Sequence, residues 1–324
     1  MTGKQTETAG CLLDDAAEAE VGERLDKVVA ERFKLSRRLA REAIQRGRVD
    51  VGGEPCLDPA RTVEPGDEVA HHPNRPRPET VERRLTILYE DAEVLVIDKP
   101  AGLLTQPTQA RERDTLLERA GRYLLRKRGV KHPYIGIVHR IDQQTSGTIL
   151  VVTSPRALRP FQALFREHLT ERNYLAIVEG VFLTTEGTID LPVADDAEGD
   201  GRRGVAREPG RGAQATTRYR VVESYGKVAS LVSIQLETGR THQARIHMAA
   251  IGHPVVGDIV YGRRGRAKFP IPFPRQALHA STLGFTHPIS KKPVHVEAPL
   301  PADIAALIDE LSRKYGVERI ADEA

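Results

Sequence analysis

A proline-rich polar segment, HHPNRPRP at residues 71–78, interrupts the chain about one quarter of the way along. Proline fixes φ and removes a backbone donor, so such a segment suits neither helix nor sheet interior and is typical of a semi-rigid linker. A length of 324 residues, at about 150 residues per domain, also suggests two domains. We therefore predict a small domain over residues 20–72, a linker over 73–83 and a larger domain over 84–310. The ends, residues 1–19 and 311–324, are predicted to be tails.

Composition and motifs exclude several classes of protein. Hydrophobic residues make up 40% of the chain and charged residues 29%, and no apolar run approaches the roughly 20 residues that span a bilayer. The N-terminus has neither a basic start nor a long apolar stretch, so we predict a cytoplasmic protein without a secretory signal. Cys11 and Cys56 form no CxxC pair, and the GxGxxG match at 199–204 follows no strand. We therefore predict neither a metal site nor a cofactor.

The first domain has the pattern of two helices followed by short strands. Leu25, Val28 and Val29 recur at helical spacing, and Ser36 is a suitable N-cap for a second helix that ends at Gly47. The Gly52-Gly53 pair predicts a tight turn in which both residues take a positive φ. The pattern predicts a small α+β domain.

This first domain is also much more basic than the chain as a whole, whose net charge is only +3. Such a run of basic residues is either a solvated helix face or a contact surface for a polyanion. The order of elements resembles the small RNA-binding domain named after ribosomal protein S4. The resemblance rests on Arg24-Leu25-Asp26, Ser36-Arg37, Gly47-Arg48-Val49 and Pro65-Gly66-Asp67-Glu68-Val69. It implies RNA contacts by Arg37, Arg38, Arg41 and Arg48.

The larger domain mixes strands and helices without a regular βαβ repeat. An apolar run at residues 93–98 is typical of a buried strand, and amphipathic helices are predicted after Asp114 and from Ser154-Pro155. Further strands are predicted at residues 174–178, 216–222 and 228–237. This order favours an α+β fold with a mixed, largely antiparallel sheet over a doubly wound sheet.

Two polar motifs stand out in this domain. The first, HRIDQQTSG at residues 139–147, lies between two apolar segments, which would present Asp142 rigidly; an ordinary turn capped by Asp142 is the alternative. The second, ETGRTHQARIH at residues 237–247, follows a strand and opens a helix that Thr241 could cap. Two arginines at a helix N-terminus suit a carboxylate or a phosphate, or else pair with acidic neighbours for stability.

Together these motifs resemble the RluA-type pseudouridine synthases, and among them the large-subunit ribosomal RNA synthases. HRIDQQTSG matches the motif that bears the catalytic aspartate, which is Asp142 here. The further matches are Arg172-Asn173-Tyr174-Leu175-Ala176-Ile177-Val178-Glu179-Gly180, the second motif above with Gly252-His253-Pro254, Gly257-Asp258 and Tyr261-Gly262, and Arg275-Gln276-Ala277-Leu278-His279-Ala280.

The resemblance implies a mechanism without cofactor or metal. Asp142 would be the nucleophile at the anomeric carbon or the base that removes a ribose proton. An arginine would pair with it, either Arg245 or, as second choice, Arg240, and Tyr174 would stack on the target base. Arg140 would fill the place of the flipped uridine. Further RNA contacts are expected from His139, Gln243 and Arg240.

The expected partner is RNA, with large-subunit ribosomal RNA or a pre-ribosomal particle favoured by the resemblance. A transfer RNA synthase of the same family is an alternative. A catalytically silent RNA-binding or ribosome-assembly protein would not need Asp142, Tyr174 and both arginines together. A glycosidic-bond hydrolase would normally need a second carboxylate, which the loop of Asp142 lacks. The sequence predicts no membrane association and no particular oligomeric state.

Overall fold

A computed structural model of the chain describes residues 22–64, 66–73, 75, 85–107, 114–195, 202–206, 208, 210–262 and 269–320. The chain divides into two units, of which the first ends at Arg83 and the second begins at Arg84. The predicted tail at 1–19 and most of the predicted linker at 73–83 lie outside the described residues. None of the described helices is long and apolar enough to cross a bilayer.

The first unit packs two helices against a small antiparallel sheet. Ser36 caps the second helix by accepting a hydrogen bond from the Leu39 backbone at 3.3 Å, and Gly47 follows with a φ of 68°. Gly52 and Gly53 form the predicted tight turn with φ values of 62° and 83°. The elements are α1 (Leu25–Arg32), α2 (Arg37–Gln45), β1 (Val49–Val51), β2 (Glu54–Pro55) and β3 (Val69–His71). The predicted α+β organisation is confirmed.

The second unit is built on one large sheet with helices packed against it. Its helices are α3 (Leu116–Arg128), α4 (Pro155–Arg166), α5 (Gln243–Ala250) and α6 (Ala302–Tyr315). Its strands are β4 (Thr86–Glu90), β5 (Val94–Lys99), β6 (Gly136–Ile137), β7 (Ser146–Val152), β8 (Thr170–Glu179), β9 (Glu186–Asp190), β10 (Val193–Ala194), β11 (Gly204–Val205), β12 (Thr216–Tyr225), β13 (Ala229–Leu236), β14 (Leu278–Thr286), β15 (Pro293–Glu297) and β16 (Glu318–Arg319).

The main sheet has the strand order β16-β12-β13-β8-β14-β7-β5-β4, with β15, β6 and β9 paired to β14, β7 and β12. Among the described pairs of this sheet, β14 and β7 are parallel and the others are antiparallel. The predicted mixed, largely antiparallel sheet is therefore confirmed. A Cβ on Gly147 would lie 2.1 Å from the Ala280 carbonyl oxygen, so this close parallel contact requires glycine.

Apolar residues of β5 are buried on both faces of the sheet. Val94 and Val96 belong to a core with Phe161 of α4, whereas Leu95 and Ile97 belong to a core with α3. A third core joins β8, β12 and β13 to α5 and α6. A strand that is buried on both faces has a continuous apolar sequence, which explains the run at residues 93–98.

The structure corrects some of the predicted boundaries. Thr115, not Asp114, caps α3, because Asp114 has a φ of 70° and its carboxylate pairs with arginines of the helix. The helical spacing after Ser154-Pro155 predicts Leu169 on the core face of the helix, but Leu169 is 61% exposed and lies beyond the end of α4. The predicted C-terminal tail at 311–324 is wrong for its first part: Leu311 of α6 is fully buried, and β16 pairs with β12.

Candidate active site

A cavity of about 510 Å³ lies in the second unit where the loop 138–145, β8 and the start of α5 come together. The sequence motifs around Asp142, Tyr174 and Arg245 are far apart in the chain, and all three residues line this cavity. The sheet order explains the meeting, because β14 lies between β7, which follows the Asp142 loop, and β8, which carries Tyr174.

The two carboxylate oxygens of Asp142 have different surroundings. Oδ2 accepts a hydrogen bond from Arg245 Nη1 at 2.9 Å, and Gln276 Nε2 lies 3.5 Å from the same oxygen. Oδ1 lies 3.8 Å from His242 Nε2, which is beyond hydrogen-bond length. The side chain of Asp142 is 20% exposed, so its carboxylate is held on one oxygen and open to the cavity on the other.

Arg245 is the arginine that pairs with Asp142, and a second carboxylate fixes it. Asp258 accepts from Arg245 Nε at 2.6 Å and from Nη2 at 2.9 Å, and the Asp258 side chain is fully buried. Burial by itself would lower the pKa of Arg245, but Asp258 and Asp142 raise it above the ordinary value. Arg240 is exposed and donates instead to the Gln214 carbonyl at 3.0 Å. The choice that the sequence left open therefore falls on Arg245.

Two buried basic side chains, Lys99 and Arg275, donate hydrogen bonds to the backbone of the Asp142 loop. Lys99, fully buried at the end of β5, donates to the carbonyls of Pro100, Leu103 and Gln143 at 3.0, 2.9 and 2.9 Å. Burial lowers the pKa of Lys99 to about 7, against the attraction of Asp142. Lys99 is not among the residues predicted from the sequence, although a charged residue at the end of a buried apolar run is a visible signal.

Arg275, which lies after the loop in the sequence, binds the backbone of the same loop. Its guanidinium donates to the Gln144 carbonyl at 3.1 Å and forms two hydrogen bonds to Asp303, at 2.7 and 2.9 Å. Asp303 belongs to the first turn of α6. A helix near the end of the chain therefore takes part in positioning the loop that carries Asp142.

Tyr174 of β8 is half-buried and lines the cavity. Burial raises the pKa of its hydroxyl to about 12, so the phenol is protonated at neutral pH. A tyrosine ring at the wall of a cavity, with its hydroxyl proton in place, offers an apolar face and a polar edge to a planar ligand.

Two residues that are predicted to contact RNA form hydrogen bonds within the protein. Gln243 is 1% exposed, and its amide bonds Thr238, the Arg240 backbone and Thr217. These bonds engage both the amide oxygen and the amide nitrogen within the protein, and the RNA contact of Gln243 stays a prediction.

His139 is stacked on Phe165 at 4.3 Å between ring centroids, and its Nε2 accepts from the Leu150 backbone at 2.8 Å. Burial lowers the pKa of His139 to about 3, so the ring is neutral and cannot pair with phosphate as a cation. Unlike His139, the next residue, Arg140, is exposed. It forms no hydrogen bond or ion pair with the described residues.

The basic residues of the first unit fall into two groups. Arg37 and Arg41 donate to the fully buried Asp26 at 3.2 and 2.6 Å, and Arg48 donates to the Arg75 carbonyl at 3.3 Å. The Arg38 side chain is 80% exposed and lies 3.6 Å from Glu42. Three of the four predicted arginines therefore also stabilise the small domain.

Helix α5 begins in an unusual way. The sequence predicts Thr241 as its N-cap, but the N-cap is His242, with a φ of 62° and no capping bond from its side chain. A left-handed backbone at a non-glycine residue is uncommon and worth explaining. His242 contacts the Tyr261 hydroxyl and His247 contacts the Leu191 carbonyl, and the described residues contain no group of three metal-ligating side chains.

Comparison with known proteins identifies the family to which both units are similar. A model of the RNA pseudouridylate synthase family matches residues 93–250, and a model of the S4 domain matches residues 23–69. The ribosomal large subunit pseudouridine synthase D of Zymomonas mobilis is 38% identical over 307 residues, which cover 91% of this chain and 95% of that protein. An uncharacterized RNA pseudouridine synthase of Bacillus subtilis is 37% identical over 310 residues, or 93% of this chain and 98% of that protein.

Among solved structures, human RNA pseudouridylate synthase domain containing 1 is similar with a TM-score of 0.55 and 27% identity, covering 72% of this chain and 96% of that one. The relatives match nearly the whole chain, including both units. The chain therefore belongs to the RNA pseudouridine synthase family, whose members are isomerases, and it carries an S4 domain in its first unit.

Proposed function

We propose that this protein converts uridine to pseudouridine in large-subunit ribosomal RNA, in the cytoplasm, with Asp142 as the nucleophile or base. The observation that carries the proposal is the pairing of Asp142 Oδ2 with a buried arginine at 2.9 Å, while Oδ1 is open to the cavity. The choice of RNA is supported by relatives from Zymomonas mobilis and Escherichia coli that are named for the ribosomal large subunit.

The chemistry conserves every atom of the substrate. The bond between the ribose anomeric carbon and N1 of uracil breaks, the base turns, and a new bond joins C5 to the same carbon. The proton on C5 leaves and N1 gains a proton, so nothing is oxidised or reduced. Asp142 attacks the anomeric carbon or removes a ribose proton, and the hydrogen bond from Arg245 Nη1 at 2.9 Å holds the carboxylate in place for either role.

The cavity suits a single uridine that has left its helix. Unstacking a base costs a few kcal/mol, which contacts in the pocket must recover. Tyr174 stacks on the flipped base, and the exposed Arg140 fills the gap in the RNA. The exposed Arg38 and Arg240 contact phosphate, and the S4 domain adds affinity for structured RNA.

The decisive experiment compares the wild-type protein with Asp142→Asn on ribosomal and transfer RNA in parallel. Pseudouridine is measured after digestion, together with released uracil and RNA affinity. We expect pseudouridine from large-subunit RNA with the wild-type protein, none with Asp142→Asn, and affinities within a few fold. Substantial activity of the variant would overturn the role of Asp142. Pseudouridine in transfer RNA alone would overturn the target, and uracil release would indicate a hydrolase.

A further inference from the structure

His242 is placed beside the open oxygen of the proposed catalytic carboxylate. Its Nε2 lies 3.8 Å from Asp142 Oδ1, and its Nδ1 lies 2.9 Å from the Tyr261 hydroxyl. The backbone of His242 is left-handed, with a φ of 62°. Such conformations are uncommon at non-glycine residues and persist where the surrounding structure holds them, often at active sites.

Tyr261 is itself fixed by the groups that fix Arg245. Its backbone N–H donates to Asp258 Oδ1 at 3.1 Å, and its ring lies under the Arg245 guanidinium at 5.0 Å. Because Asp258 also binds Arg245, His242 and Asp142 are held by one connected set of side chains.

The contact with Tyr261 sets which nitrogen of His242 carries the proton. Burial raises the pKa of Tyr261 to about 12, so its hydroxyl keeps its proton at neutral pH. Among the described residues this hydroxyl has no other acceptor, so it is free to donate to Nδ1 of His242 at 2.9 Å, the arrangement on which the inference below is built. Burial also lowers the pKa of His242, which leaves a neutral ring with its proton on Nε2.

The gap between Nε2 and Oδ1 is suited to a ligand that touches both. At 3.8 Å the two atoms are too far apart for a good hydrogen bond, so the Nε2 donor is unpaired in the described residues. A substrate that brings its glycosidic bond to Oδ1 also brings the uracil carbonyl beside that bond close to Nε2, since the carbonyl oxygen is two bonds from the glycosidic nitrogen.

We infer that His242 is a further catalytic residue, whose Nε2–H donates a hydrogen bond to the uracil carbonyl oxygen next to the glycosidic nitrogen. This inference rests on the proposed function. As the glycosidic bond breaks, its electron pair passes to the uracil ring, and negative charge develops on N1 and on that oxygen. A fixed neutral donor aimed at developing charge stabilises the transition state more than the ground state. The proton stays on His242 throughout.

The test uses single-turnover rates of the full chain on a large-subunit RNA fragment. Asparagine tolerates the left-handed backbone best among non-glycine residues, and it lacks a donor at the position of Nε2. Glutamine is longer and returns an amide donor near that position. We expect His242→Asn to slow the reaction about 100-fold with RNA affinity little changed, and His242→Gln to regain part of the rate. Tyr261→Phe should show a smaller decrease in rate.

A modified substrate separates this role from a purely structural one. Sulfur is a weaker acceptor than oxygen, so with 2-thiouridine at the target position the penalty of His242→Asn should shrink. The exposed His132 provides the matched control as His132→Asn. Equal penalties on both substrates, or a rate for His242→Asn within a few fold of wild type while Asp142→Asn is inactive, would overturn this inference and leave the proposed function intact. An active Asp142→Asn would overturn both.

Discussion

The guanidinium of Arg245 joins two carboxylates that the chain brings from different loops. Nε and Nη2 face Asp258, and Nη1 faces Asp142. Arginine can do this because its donors form a rigid planar fork, whereas lysine offers a single charged point. The pair with Asp258 therefore fixes where the hydrogen bond to Asp142 is made.

Replacing Arg245 by lysine should damage both stability and rate. An ammonium cannot reach both carboxylates, so the fully buried Asp258 loses part of its pairing. We expect the free energy of unfolding to fall by about 3 kcal/mol, and the single-turnover rate to fall about 100-fold. Urea unfolding and quenched single-turnover assays measure the two effects. Arg313→Lys on the exposed side of α6 is the control, and an unchanged rate for Arg245→Lys would contradict the assigned pairing.

His139 makes the stability of the second unit depend on pH. Burial lowers its folded pKa to about 3, whereas the unfolded value is about 6.5. Between these values the unfolded chain binds the extra proton, so stability falls as the pH falls, by up to about 1.4 kcal/mol per pH unit. Above about pH 6.5 the contribution is fully present.

The variant His139→Gln should make this dependence less steep. Glutamine does not titrate, and its carbonyl oxygen can accept the Leu150 N–H in place of Nε2. Urea unfolding at several pH values between about 4.5 and 7 measures the slope. His132→Gln, which replaces an exposed histidine, should leave the slope as it is. Parallel slopes for wild type and His139→Gln would show that another group carries the dependence.

At the scale of elements, the Asp142 loop is held by side chains from two different parts of the chain. Lys99 at the end of β5 holds the Gln143 carbonyl, and Arg275 ahead of β14 holds the Gln144 carbonyl. The parallel pairing of β14 with β7 then fixes the strand that leaves the loop. A carboxylate on such a loop keeps its position without contributing to the core itself.

Gly147→Ala tests how much the parallel pair contributes. The new Cβ would stand 2.1 Å from the Ala280 carbonyl oxygen, and the φ of 109° is strained for any other residue. We expect the unfolding free energy to fall by more than about 3 kcal/mol, because backbone must move to relieve the clash. Gly121→Ala in α3 is the matched control: its nearest contact is 3.7 Å away, and alanine favours a helix by about 1 kcal/mol. Thermal unfolding of both variants measures the change in stability. Equal losses of stability in the two variants would contradict the steric argument.

At the scale of the whole molecule, the net charge of +3 conceals an uneven distribution. The first unit concentrates arginines around the buried Asp26, and in the second unit several arginines line the cavity that contains Asp142. Burial works to raise the pKa of Asp26, but hydrogen bonds from Arg41, Arg24 and Arg37 outweigh it and lower that pKa. The arginines that hold the small domain together are thus also part of its basic surface.

Removing residues 1–83 tests what that surface does. For every phosphate that the first unit neutralises, the deletion should make the slope of log affinity against log salt shallower by roughly 0.7 to 0.9. We expect weaker binding to structured RNA and a shallower salt dependence, while the remaining unit keeps its fold, since its cores lie within residues 84–320. Fluorescence titration at several salt concentrations measures both. An unchanged slope would show that the first unit neutralises no phosphates.

Much of the fold could be predicted from the sequence, because the signals are local. The helices of the first unit follow from apolar spacing, the Ser36 cap and the Gly47 stop, and the turn follows from two glycines. The motif around Asp142 also marked the site, since a polar run between two apolar segments is visible in the chain itself. The N-cap of α3 and the extent of α6 were misjudged, because caps and helix ends depend on contacts made elsewhere.

Only the tertiary structure decided which side chains meet at the site. The sequence left both Arg245 and, as second choice, Arg240 as partners of Asp142, and the structure shows that Arg245, buried beside Asp258, is the one that pairs with it. Gln243 is a polar residue of the second motif, and only the structure shows that its amide forms hydrogen bonds within the protein. Residue types and their local spacing are written in the chain, and they determined the two domains and the family. Long-range pairing and burial are set by packing across the sheet, and they alone determine which polar atoms remain free for a substrate.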